Sequence, residues 1–141
     1  MAFARPSSLR IEVPGSRGAE LVAVARGGML TAVFPPERAI YEGPASRATL
    51  EYLLGVGLLP EEVIDLLVGV EPPGLREYRV GWGPALPERV VARLRDGAEL
   101  ELLIEEPLTQ PAVPQVAFDA PPHAGYRPVA LSEARELWSR R

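Results

Sequence analysis

The period of the apolar pattern changes twice along this chain, and that change limits its folds more than any other feature. From Leu9 to Glu42 large apolar residues alternate with polar or small ones. From Ser46 to Gly69 they recur at helical spacing, and from Glu77 to Ile104 the alternation returns. A strand sends successive side chains to opposite faces, whereas a helix repeats its face every 3.6 residues. The chain therefore predicts strands, a short helical pair, and strands again.

The helical insert is very apolar. Leu53-Leu54-Gly55-Val56-Gly57-Leu58-Leu59-Pro60 runs directly into Glu61-Glu62-Val63-Ile64-Asp65-Leu66-Leu67-Val68-Gly69. Ser46 suits the N-cap of a first helix over 48–54, closed by Gly55. Pro60 suits the first turn of a second helix, where Glu61 and Glu62 complement the positive end of the dipole. Val63, Ile64, Leu66 and Leu67 form its apolar face, and Gly69 stops it. Such a pair either packs as core against a sheet or covers a hollow beneath it. One curved antiparallel sheet with few helices leaves room for the second arrangement.

The first strands read as a meander. Leu9, Ile11 and Val13 alternate with Arg10 and Glu12; Glu20 to Arg26, Met29 to Phe34 and Ala39 to Glu42 follow, separated by Pro14–Gly18, Gly27-Gly28 and Pro35–Arg38. Closely spaced strands with tight turns pair antiparallel. After the Pro72-Pro73-Gly74 linker, Glu77 to Gly81 reads as a strand. The clearest hairpin comes next. A three-residue Asp96-Gly97-Ala98 loop sets Leu94 against Leu100, Ala92 against Leu102 and Val90 against Ile104, and pairs Arg95 with Glu99, Arg93 with Glu101 and Arg89 with Glu105 on the other face. Gly97 is expected at positive φ. Pro107, Pro111 and Pro114 predict an irregular stretch, Val116–Phe118 a last short strand, and Ser132 the cap of a terminal helix reaching Trp138.

Little here points to catalysis or metal binding. The 141 residues suffice for one domain with a core, and a composition of 47% hydrophobic and 24% charged residues is that of an ordinary globular protein. The net charge of -4 with no clustered basic face argues against a nucleic-acid partner. Every basic residue is arginine, and lysine and asparagine are absent, as expected of a GC-rich genome. The absence of cysteine excludes disulfides, thiol catalysis and cysteine-rich metal sites. His123, the only histidine, sits among prolines and glycine and reads as a solvated loop residue. Neither a Gly-x-Ser-x-Gly elbow nor a Walker loop occurs. Gly55-Val56-Gly57 lacks the strand before it and the third glycine of a dinucleotide fingerprint. Neighbouring acids at Glu61/Glu62 and Glu105/Glu106 are accounted for by a helix start and a wet strand edge. No cofactor and no metal is expected, and no apolar run is long enough to span a bilayer as a helix.

Several segments together resemble a known family. Phe3-Ala4-Arg5-Pro6-Ser7-Ser8-Leu9-Arg10-Ile11-Glu12 resembles the R-P-x-x-(F/L)-R strand of the bacterial lipoprotein carriers LolA and LolB, and Gly27-Gly28-Met29-Leu30 resembles the turn and strand that follow it. Tyr41-Glu42-Gly43-Pro44-Ala45 and the Leu-Leu-Gly…Pro-Glu-Glu…Leu-Leu segment are similar to LolB-type lipoproteins of GC-rich bacteria. The resemblance spans roughly residues 3–130. It implies an incomplete antiparallel β-barrel, mainly β with a short α-helical lid, formed by residues 1–141 as a single domain lacking the family's N-terminal helix and first strands. It also implies a periplasmic or outer-membrane location, with an anchoring cysteine upstream of this sequence that would reach the inner leaflet of the outer membrane.

On this reading the chain carries or accepts lipoprotein acyl chains or other lipids in an apolar cavity. Leu9, Ile11, Val90, Leu94, Leu100, Leu102 and Ile104 would line it from the strands, and Leu50, Leu53, Leu54, Leu58, Val63, Ile64 and Leu67 from the lid. The rival reading is a non-catalytic interaction or lipid-sensing module of the cell envelope on the same scaffold. A shortened barrel would leave unpaired strand edges, which invite homodimerisation.

Overall fold

The computed structural model describes residues 1–4, 7–106 and 113–141. Arg5 and Pro6 of the R-P motif, and Pro107 and Pro111 of the proline-rich stretch, lie outside the described residues. The chain is mainly β, with 39% strand and 22% helix, and forms two sheets with no closed barrel.

The first sheet is the predicted meander with one strand added at each side. Its strands are β1 (Ala2–Ala4), β2 (Ser8–Gly15), β3 (Gly18–Arg26), β4 (Met29–Phe34) and β5 (Ala39–Pro44), in sequential antiparallel order. Gly27 and Gly28, both at positive φ, make the two-residue turn from β3 to β4 that matches the twist of a hairpin. Alternation puts Leu9, Ile11 and Val13 of β2, Leu21, Ala23 and Ala25 of β3, Leu30, Ala32 and Phe34 of β4, and Ala39 and Tyr41 of β5 on one face. Most of that face is buried in the largest apolar cluster.

Two helices follow, α1 (Arg47–Leu54) and α2 (Pro60–Leu67). Ser46 caps α1 as expected, its Oγ accepting from the Thr49 N–H at 3.2 Å, and Gly55 closes it at φ 74°. Leu59 is the N-cap of α2 and Pro60 its first residue. α1 lays Leu50 and Leu53 on the first sheet. Helix α2 faces two ways: Ile64 joins that same cluster, and Leu66 a second one.

The second cluster belongs to the other sheet, made of β6 (Glu77–Trp82), β7 (Pro87–Arg93) and β8 (Glu99–Leu103). Its inner face carries Val90, Ala92, Leu100 and Leu102, as the alternation predicts, but the hairpin register differs from the predicted one by two residues. Ala92 faces Leu100, Val90 faces Leu102, and Arg93 faces Glu99. The loop is Arg95-Asp96-Gly97, closed by Leu94 N–H to Ala98 O at 2.8 Å and Gly97 N–H to Leu94 O at 3.0 Å. That is a type I turn followed by a bulge, with Gly97 at φ 91° as expected.

Two C-terminal expectations are corrected. Val116–Phe118 is no strand: Gln115–Phe118 is a 3₁₀ turn that lays Phe118 over Val22 and Val24 on the outer face of the first sheet. Ser132 is not the cap of the last helix, α3 (Leu131–Ser139), which starts after Ala130. A two-residue strand β9 (Arg127–Pro128) pairs parallel with β5, and α3 then packs Ala134 and Leu137 against the main cluster.

Candidate functional site

Between the two sheets, beneath the helical pair, lies an apolar hollow of about 130 Å³. Small side chains create it. On the inner face of β3, Ala23 and Ala25 stand opposite Ile11 and Leu9 of β2, so the middle of the sheet lacks the bulk that Phe34 and Tyr41 supply further along. Leu50 and Leu54 of α1 and Pro60 and Val63 of α2 close one side, with Val56 and Leu58 of the linker. Leu100 and Leu102 of β8 close the other, and Met1 stands exposed at the rim. Every lining side chain is apolar. Such a space favours hydrocarbon over water, which needs two to four polar partners to be held.

The structure brings together Leu9, Ile11, Leu50, Leu54, Leu58, Val63, Leu100 and Leu102 of the residues proposed for a cavity. It places the others elsewhere. Leu53 and Ile64 sit in the packed core under the helices, and Leu67 is buried apart from the hollow. Val90 and Leu94 belong to the cluster of the second sheet. Ile104 lies half-buried just past the end of β8, its N–H donating to Glu88 O at 2.9 Å. Ala23, Ala25, Leu30, Val56, Pro60 and Met1 line the hollow without having been singled out for it. The signal for two of them is in the alternation: the inward phase of residues 21–25 reads Leu, Ala, Ala, and small residues in a run of large ones mark missing volume.

A charged clasp fixes the roof. Glu62 is 6% exposed. Its Oε1 and Oε2 each accept from Arg47 at 2.8 Å, and Oε2 also accepts from the Leu59 N–H at 2.8 Å. Arg47 in turn donates to Gly57 O at 2.7 Å. One guanidinium thus ties α1, the linker and α2 into a unit. The hydrogen bond to Glu62, reinforced by the charge of that carboxylate, raises the Arg47 pKa above its ordinary value. Tyr78, in the second cluster, has a buried hydroxyl with no hydrogen-bond partner among the described residues, and burial raises its pKa, helped by the charges of Glu71 and Asp65.

Other chemistry is sparse around the hollow. The His123 ring lies in its proline loop, Nδ1 2.9 Å from Pro121 O. Among the described residues no three His, Asp or Glu side chains gather where they could hold a metal ion, and no helix is long and apolar enough to cross a membrane. No family model matches this chain, and no curated protein matches it.

Proposed function

We propose that this chain is a non-catalytic carrier or acceptor of acyl chains, of lipoproteins or other lipids, working at the periplasmic side of an outer membrane. In this reading the two sheets are the walls of an incomplete barrel and α1–α2 its lid. The observation that supports it is the wholly apolar lining of the hollow between Ala23 and Ala25 on one wall and Leu100 and Leu102 on the other.

Magnitudes set what the hollow holds as it stands. An apolar cavity of about 150 Å³ takes a six-carbon ligand such as benzene, and this one is slightly smaller. Burial gains about 0.8 kcal/mol per methylene, so six carbons give about 5 kcal/mol, a dissociation constant between millimolar and micromolar. A whole acyl chain needs the clasped roof to move aside. The modest volume also favours a second reading, in which the same hollow senses or grips only the end of a chain within a cell-envelope assembly.

Native mass spectrometry of freshly purified protein, followed by organic extraction, tests the proposal. Co-purified lipid is expected, and saturable one-to-one uptake of a fluorescent fatty acid. Neither signal, in protein shown to be folded, overturns it.

A further inference from the structure

A second cleft, of about 250 Å³, lies on the far side of the 56–58 segment. Its lining mixes charged side chains with apolar ones such as Pro73, Leu75 and Leu94, where that of the hollow is wholly apolar. Arg47, Glu51 and Glu62 line it from the helices, and Arg95 and Asp96 from the tip of the β7–β8 hairpin. Leu58, only 3% exposed, lines both spaces. One residue's thickness therefore separates an apolar compartment from a charged one.

The charges of the cleft are not all spent. Arg47 and Glu62 satisfy each other. Arg95, Glu51 and Asp96 make no ion pair among the described residues. Arg95 has one described hydrogen bond, from Nε to Gly74 O at 3.1 Å, and its guanidinium lies where a side chain at Gly74 would stand. The fork is thus held against the backbone on one edge, a posture suited to a planar or tetrahedral oxyanion. Asp96 accepts the Ala98 N–H through Oδ1, so the turn holds its carboxylate in place. An anion receptor with two carboxylates around it suits a head group bearing both signs of charge.

We propose that cleft and hollow are the two halves of one amphiphile site, joined by a rotamer change at Leu58, with hydrocarbon in the hollow and a zwitterionic phosphate–ammonium head in the cleft. Arg95 takes the phosphate, and Glu51 and Asp96 take the ammonium. This assignment rests on the hydrocarbon-binding reading and adds to it the class of head group.

The test uses three ligands with the same acyl chain, lysophosphatidylethanolamine, lysophosphatidylglycerol and monoacylglycerol, below their critical micelle concentrations, each titrated against a bound fluorescent fatty acid. The expected order is ethanolamine, then glycerol phosphate, then neutral, with at least tenfold between first and last. R95Q should shrink that ratio to within about threefold, whereas R79Q, on the outer face of the second sheet, should leave it unchanged; circular dichroism verifies that both variants are folded. Equal affinity for the charged and neutral ligands, a preference for the anionic over the zwitterionic head, or a ratio that R95Q does not move overturns the head-group assignment. If monoacylglycerol displaces the probe in those cases, hydrocarbon binding survives; if no ligand and no fatty acid binds, both proposals fall.

Discussion

Glu62 shows how much one residue decides in this molecule. Neighbouring acids at the start of a helix read alike in sequence, and dipole electrostatics would serve for both. In the fold they part: Glu61 is exposed, while Glu62 is buried and receives three hydrogen bonds. A buried carboxylate is tolerable only when paired and hydrogen-bonded. Removing the partner of a fully buried pair costs about 3–5 kcal/mol, but the Arg47 side chain is half exposed, so water screens part of the interaction. Arg47→Ala is therefore expected to lower the stability by about 1–3 kcal/mol in urea unfolding. Glu62→Gln should cost less, because its amide oxygen still accepts from Leu59. Glu61→Gln should stay within about 0.5 kcal/mol of the parent, as surface changes do. Equal effects at the two glutamates would show that the clasp contributes nothing to stability.

At the level of elements, most local signals were legible, the Ser132 cap excepted, and non-local ones were not. The Ser46 cap, the Gly55 and Gly69 stops and the Gly27-Gly28 turn each depend on residues within one or two turns of chain, and they stand where the sequence puts them. The β7–β8 register does not have that protection. A shift of two residues keeps every apolar side chain on its face, so alternation cannot choose between registers; the turn chooses, by placing Gly97 in the bulge. The 3₁₀ turn at 115–118 was also beyond reach, because three apolar residues fit a strand as well as a cover for Val22 and Val24. Least legible was β9, two residues pairing with β5 across more than eighty positions of sequence.

That short strand carries an exposed ion pair, whose persistence a pH titration reads. Arg127 of β9 pairs with Glu133 in the first turn of α3 at 2.7 Å. The hydrogen bond from Arg127, and then its charge and that of Arg140, hold the Glu133 carboxyl below the ordinary range. A carboxyl depressed in the folded state stabilises above its unfolded-state pKa of about 4.3, and that contribution is lost as pH falls through the folded value. Carboxyl NMR titration should find Glu133 below a free glutamate, and Arg127→Gln should return it toward the ordinary value. The same variant should begin to unfold at a higher pH on the acid side. An unchanged titration would mean that the pair does not persist in solution.

For the whole molecule, the question is whether the space between the sheets is available or merely imperfectly filled. Sequence pattern put many leucines near it but could not tell lining from packed core, because Leu54 and Leu53 differ only in which side of one short helix they occupy. Two alanines on the same sheet face separate the cases. Ala25 lies between Leu9 and Leu30 and lines the hollow; Ala32 lies between Ala23 and Tyr41 in the closed cluster and is wholly buried. Leucine adds the same three carbons at either position. At Ala32 there is nowhere to put them, and overpacking should cost about 1–3 kcal/mol. At Ala25 they enter the hollow, and filling it should be neutral or stabilise by about 0.5–2 kcal/mol, while fatty-acid uptake is lost. Thermal unfolding and the uptake assay on both variants decide the matter. Opposite signs of stability, with binding lost at Ala25 alone, mean that the fold keeps room for a guest at a cost in its own stability; equal destabilisation at both positions would mean that the space is not available to hydrocarbon.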